Sequence, residues 1–167
     1  MLFRCLLLAV ALAFPAPLAD AKTYTLGGIV VADAVAPQTL KGATAGKVYL
    51  TIQNKGAATC QLVGVSTPAA AIAELRRAFR DPKGIKTRRM LSLNLEPGET
   101  LQFDPEGGYE IALIGLAKRL EDGDRFPLTL EFDAIGKVEL TVEVKAPVYS
   151  ESPRNYGRGN KNFKNTF

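Results

Sequence analysis

The feature that most constrains this chain is a two-residue alternation of apolar and polar side chains. In Lys47–Asn54, Val48, Leu50 and Ile52 alternate with Tyr49, Thr51 and Gln53. Phe126, Leu128, Leu130 and Phe132 alternate with Pro127, Thr129, Glu131 and Asp133, and Val138, Leu140, Val142 and Val144 with Glu139, Thr141, Glu143 and Lys145. Each pattern gives a strand one apolar face for a core and one polar face for water. Further strands are expected at Gly28–Val35, Gln61–Val65, Ile72–Phe79, Arg89–Leu95, Thr100–Phe103 and Tyr109–Ile114. Turn-forming clusters separate them: Asn54-Lys55-Gly56, Asp81-Pro82-Lys83-Gly84, Glu96-Pro97-Gly98, Pro105-Glu106-Gly107-Gly108, Glu121-Asp122-Gly123-Asp124 and Ile135-Gly136. Eight or nine short strands punctuated in this way predict an all-β sandwich or barrel. Ala69–Arg80 has helix-favouring alanine and arginine but is assigned to a strand. The buried face should include Val48, Leu50, Ile52, Leu128, Leu130, Leu140 and Val142.

The two ends read differently. Residues 1–21 have a basic start at Arg4, an apolar run from Cys5 to Phe14, and a small-x-small sequence at Ala19-Asp20-Ala21. That is the layout of a cleaved secretory signal, and the apolar run is about half of what a bilayer span needs. The domain expected over residues 22–147 is therefore periplasmic, with no spanning segment. Residues 148–167 lack periodicity and are rich in Asn, Gly, Lys and Arg, the composition of a disordered basic tail. Arg154, Arg158, Lys161 and Lys164 against Glu151 supply most of the net charge of +4. The domain itself is nearly neutral, which gives no support to nucleic-acid binding. Cys5 precedes its apolar run, unlike a lipoprotein cysteine, and leaves with the leader. Cys60 is then a lone thiol, read as a buried small apolar residue rather than an intermolecular handle.

Several segments are familiar in order: Asp33-Ala34, Val48-Tyr49-Leu50-Thr51-Ile52-Gln53-Asn54, Leu62-Val63-Gly64-Val65, Gly107-Gly108-Tyr109, Leu113-Ile114-Gly115-Leu116, Leu120-Glu121-Asp122-Gly123-Asp124 and Phe126-Pro127-Leu128-Thr129-Leu130-Glu131-Phe132. Together, from about Ile29 to Val144, they resemble the periplasmic copper chaperone family called PCuAC. The resemblance implies a Greek-key antiparallel β-sandwich of cupredoxin-like form, and a family activity of carrying Cu(I) to copper-dependent acceptors. It also implies a copper site made from a His, a Met and a His-x-Met pair. Residues two apart on a strand face the same way, and thioether and imidazole suit soft Cu(I). Carried onto this chain, those positions are Arg76, Met90, Glu110 and Ala112, so only the Met is kept.

The chain has no histidine at all and two methionines, one of them Met1. A multi-ligand His/Met site cannot be assembled from it, and zinc and blue-copper sites fail for the same reason. No metal or other cofactor is expected. A hard cation at Glu121, Asp122 and Asp124 is set aside in favour of a hairpin turn. Without histidine there is no Ser-His-Asp or Cys-His arrangement either, and Gly27-Gly28 matches no phosphate loop, so the chain is not expected to be an enzyme.

If the backbone is kept, Arg76 and Glu110 should face each other as an ion pair, with Met90 nearby and Arg88 as the stand-in cation. Arg77, Arg80, Lys86, Arg88 and Arg89 add a basic stretch that is read first as a solvated strand edge. Its second reading is a patch for anions or an acidic protein partner. The leading expectation is a non-enzymatic periplasmic binding or assembly protein on the copper-chaperone sandwich. Its rivals are a working copper carrier that shares Met90 or Cys60 through a dimer, and a partner- or envelope-binding module acting through the basic edge and tail.

Overall fold

The structure, a computed structural model, describes residues 22–82, 84–104 and 108–146. The leader expected over residues 1–21 and the tail expected over 148–167 lie outside the described residues.

Eleven strands and no helix make up the described chain. They are β1 (Tyr24–Leu26), β2 (Ile29–Pro37), β3 (Ala45–Asn54), β4 (Cys60–Ser66), β5 (Ala70–Asp81), β6 (Gly84–Arg89), β7 (Leu93–Leu95), β8 (Thr100–Phe103), β9 (Tyr109–Leu116), β10 (Arg125–Phe132) and β11 (Gly136–Lys145). Their hydrogen-bonded order is β6-β5-β9-β8-β3-β2-β11-β10-β4-β7, with β1 added to β2 and the first half of β3 pairing β9 directly. This open, mixed sheet folds over a single core as a β-sandwich. Most neighbours are antiparallel, as expected. Two are parallel: Val35–Pro37 against Glu143–Lys145, and Phe103 beside Tyr109.

The alternation does what its period requires. Val48, Ile52, Leu128, Leu130 and Val142 are fully sealed, and Leu50 and Leu140 nearly so. Phe103 and Phe132 are the largest side chains packed with them. Cys60 is a free, buried thiol at the start of β4, and burial, with the Asp133 carboxylate beside it, pushes its pKa up. Ala69–Arg80 is strand rather than helix from Ala70 onward, because β9 pairs it along most of its length.

Sequence and structure differ in detail at two places. β1 and β7 are three residues each, too short to show a period. The single strand expected at Arg89–Leu95 is split: Arg89 ends β6, and β7 begins at Leu93 after the chain has crossed from β5 to β4. Gly27 and Gly28, with φ of 54° and 88°, form the two-residue turn between β1 and β2. A Cβ on Gly28 would stand 3.0 Å from the backbone of Gly56, so the Gly-Gly pair has a structural explanation.

Candidate functional site

The register of β5, β9 and β3 decides which side chains can meet. Arg76 lies directly opposite Glu110, and Ala112 lies between Glu74 on β5 and Lys47 on β3. Opposed residues and residues two apart share a face. Arg76, Glu110 and Ala112 are thus brought together on the outward face of the β5–β9–β3 layer. Met90 is not. It follows β6, donates its backbone N–H to the Leu75 carbonyl at 2.8 Å, and packs against the core. The residues it adjoins include Arg77, Phe79 and Arg88, around an open cavity.

The expected ion pair between Arg76 and Glu110 does not form. Arg76 turns back along its own strand to Glu74, with Nη2 3.0 Å and Nε 3.2 Å from Oε2. Glu110 takes Lys47 instead, Nζ to Oε2 at 2.6 Å. The physical reason is proximity of better partners on either side. Glu74 sits two residues away on the same face, and Lys47, opposite Ala112 on β3, reaches Glu110 diagonally across the β3–β9 ladder. Arg88, the stand-in, is on the other face of the hairpin, with its guanidinium 5.4 Å from the Phe79 ring centroid.

The result is a patchwork of alternating charge. Arg89 and Arg76 flank Glu74, at 3.7 and 3.0 Å, and Lys47 caps Glu110. The Glu110 side chain is only 10 % exposed and that of Lys47 50 %. The hydrogen bond to Glu110 raises the Lys47 pKa, against the opposing effects of burial and of Arg76. Burial raises that of Tyr49 on the same face, with Lys47 working against it. Lys47 and Glu74 are the two members that motif reasoning missed. Lys47 was visible as the polar start of an alternating strand, but only the register with β9 reveals its target.

Copper does not fit this donor set. The carboxylates present are hard ligands already engaged by an ammonium or guanidinium, and the thioether of Met90, the one among the described residues, packs against the core. Among the described residues no group of three or more His, Cys, Asp or Glu side chains could hold a metal ion. Glu121, Asp122 and Asp124 form a turn: Glu121 pairs with Arg119 at 2.6 Å, Asp124 with Lys118 at 3.2 Å, and Asp122 accepts the Ala146 N–H at 2.7 Å.

The basic stretch becomes the β5–β6 hairpin, and every residue of β6 is exposed. Arg77 faces Arg88 and Phe79 faces Lys86 on the core-side face. Arg76 faces Arg89 and Arg80 faces Ile85 on the outward one. Lys86 reaches Asp81 at 3.0 Å.

The fold is of the class found in solved PCuAC domains, which are cupredoxin-like. Within that class, the chain belongs to the LpqE-like family, described as putative lipoprotein LpqE-like, whose model matches residues 29–144. Among solved structures it is similar to the copper-bound PCuAC domain from PmoF2, with a TM-score of 0.63 and 22% identity over 75% of this chain and 99% of that one. The apo PCuAC domain from PmoF1 gives a TM-score of 0.64 and 24% identity over 75% and 100%. CuI-DR1885 from Deinococcus radiodurans gives 0.55 and 22% over 78% and 85%. At these identities the likeness is one of fold. No curated protein matches the chain significantly.

Proposed function

We propose that this protein is a non-enzymatic, exported binding or assembly protein of the chaperone-like kind, in which an ion-pair network stands where a copper chaperone holds its metal. The observation that carries the reading is the pairing at the positions matching the copper site. Arg76 is engaged by Glu74, Glu110 by Lys47, Ala112 offers no donor, and Met90 packs against the core. These contacts tie β3 to β9 and hold β5 to β6 by side-chain attraction, as a shared ion could. Family membership and the PCuAC fold support a chaperone-like role, and the periplasm is the compartment that fits both the fold and the leader expected at residues 1–21. A protein partner, met through the basic hairpin, is the remaining part of the reading.

Likeness to a copper-bound domain favours one rival, a working copper carrier that completes its site between two copies through Met90 or Cys60. Cys60 is 6 % exposed, so its thiol would have to open before it could serve. Thermal unfolding with and without Cu(I) under reducing anaerobic conditions tests the proposal. A native-state ligand at one hundred times its Kd stabilises by about 2.7 kcal/mol, which would raise Tm by roughly 5–10 °C in a domain of this size. The expected result is an unchanged Tm. A rise of that order that disappears in the Met90→Leu variant would favour the shared-site carrier instead.

A further inference from the structure

The β5–β6 hairpin contains two pairs of directly opposed arginines, and they are treated differently. On the outward face Arg76 faces Arg89, and both are bridged by one carboxylate, Glu74, through its two oxygens at 3.0 and 3.7 Å. On the core-side face Arg77 faces Arg88 one rung away. Like charges directly opposite each other destabilise a ladder. Yet among the described residues no carboxylate pairs with Arg77 or Arg88. What each has instead is an aromatic ring: Tyr109 lies 5.7 Å from the Arg77 guanidinium carbon, and Phe79 5.4 Å from that of Arg88. Such stacking holds a guanidinium in place and leaves its N–H edge free to donate.

Between these groups lies an open cavity of about 640 Å³ lined by Arg77, Ala78, Phe79, Arg88 and Met90. Its volume falls within the roughly 300–1,000 Å³ of small-molecule sites, which pair a mostly apolar wall with a few placed polar groups. Phe79 and Met90 provide the wall. The two guanidiniums provide five donors each and no acceptor, so the complementary group is an anion whose planar oxygens two forks can share. Glu74 shows on the neighbouring face that a carboxylate meets that geometry in this hairpin.

We propose that the core-side face of the β5–β6 hairpin is a binding site for a small organic carboxylate, its carboxyl group seated between Arg77 and Arg88 and its apolar body against Phe79 and Met90. The site lies on the other face of the hairpin from the Glu74–Arg76–Glu110–Lys47 network. It extends the binding role proposed above by naming a ligand class, and it stands or falls independently of copper.

The test uses the full chain and three probes: phenylacetate, its neutral isostere phenylacetamide, and acetate. Backbone amide shifts are followed by NMR at low ionic strength, where screening is weakest. Phenylacetate should bind saturably, with shifts concentrated at residues 77–79, 88–90 and 109. Phenylacetamide and acetate should each bind at least about tenfold more weakly, one lacking the charge and the other the apolar body. The variants are Arg77→Gln, Arg88→Gln and, as a control of equal charge loss on the outward face, Arg80→Gln. All three positions are exposed, so the fold should survive, and the amide spectrum checks it directly. Arg77→Gln and Arg88→Gln should each weaken phenylacetate about tenfold or more, and Arg80→Gln less than about twofold. Equal weakening by Arg80→Gln would reduce the effect to general charge and overturn the proposal. So would equal binding of phenylacetamide, or the absence of saturable binding by phenylacetate.

Discussion

The β10–β11 and β5–β6 hairpins are both regular antiparallel ladders, yet they spend their side chains in opposite ways. Along β10–β11 every second residue enters the core, and the water-facing rungs pair opposite charges: Arg125 with Glu143 and Lys137 with Glu131, each at 3.4 Å. Beyond Leu75, β5–β6 buries nothing large, and two of its rungs set arginine against arginine. A ladder that seals a core can afford no such repulsion, because cross-strand pairs and burial are what hold it. A ladder that projects past the core is free to carry groups suited to recognition. On the proposed reading the hairpin is the working end of the molecule and β10–β11 the scaffold.

The largest effect should come from emptying the scaffold. Leu130→Ala is expected to cost about 2–5 kcal/mol in chemical denaturation, whereas Ile85→Ala on β6, which is 69 % exposed, should stay within about 0.5 kcal/mol. Similar losses at the two sites would erase the distinction between the hairpins.

Next in size is the tie between β3 and β9. Lys47→Met leaves the Glu110 carboxylate nearly buried without its partner, a loss of about 1–3 kcal/mol at neutral pH. Glu110→Gln together with Lys47→Met should cost less than the sum of the two single changes. Because Glu110 raises the Lys47 pKa above its ordinary value of 10.5, the pairing stabilises fully below that pH and is lost as pH rises through the folded value. The stability gap between wild type and Lys47→Met should accordingly be constant from neutral to mildly alkaline pH and close only above about pH 10.5. A gap that closes at acidic or neutral pH alone would assign the network to other groups.

Cys60 offers a kinetic check on the scaffold. Burial raises its pKa, so at mildly alkaline pH a thiol reagent should label it more than about tenfold more slowly in the native state than in denaturant. Rapid native-state labelling would show that the β4 end opens readily.

The smallest effects concern the rungs themselves. Glu143→Gln removes an exposed attractive pair and should cost about 0–1 kcal/mol. Arg88→Gln removes a repulsion, so its stability should match or slightly exceed wild type. A clear loss there would mean that Arg77 and Arg88 already have a partner within the chain.

The scaffold was readable in the sequence because period-two burial is a local signal: Val48, Leu50 and Ile52 declare their face by spacing alone. The pairing of Arg76 with Glu110 across the ladder was readable too, from the family resemblance. What could not be read is the choice of partners. Lys47 lies 63 residues from Glu110, and their meeting depends on a strand register that no local pattern encodes. The side taken by Met90 was hidden for a related reason. Its expected strand is broken, and where a strand ends decides on which side the following residue falls.

The central claim is that the positions matching a copper site now hold an ion-pair network and not a metal. It is tested most directly by titrating the reduced protein with Cu(I) against a chelator of known affinity, over a range of protein concentrations. The expected outcome is that the chelator keeps the copper, with any residual binding weaker than about 1 μM, equivalent to about −8.2 kcal/mol. Stoichiometric capture of Cu(I) at submicromolar free concentration would contradict it.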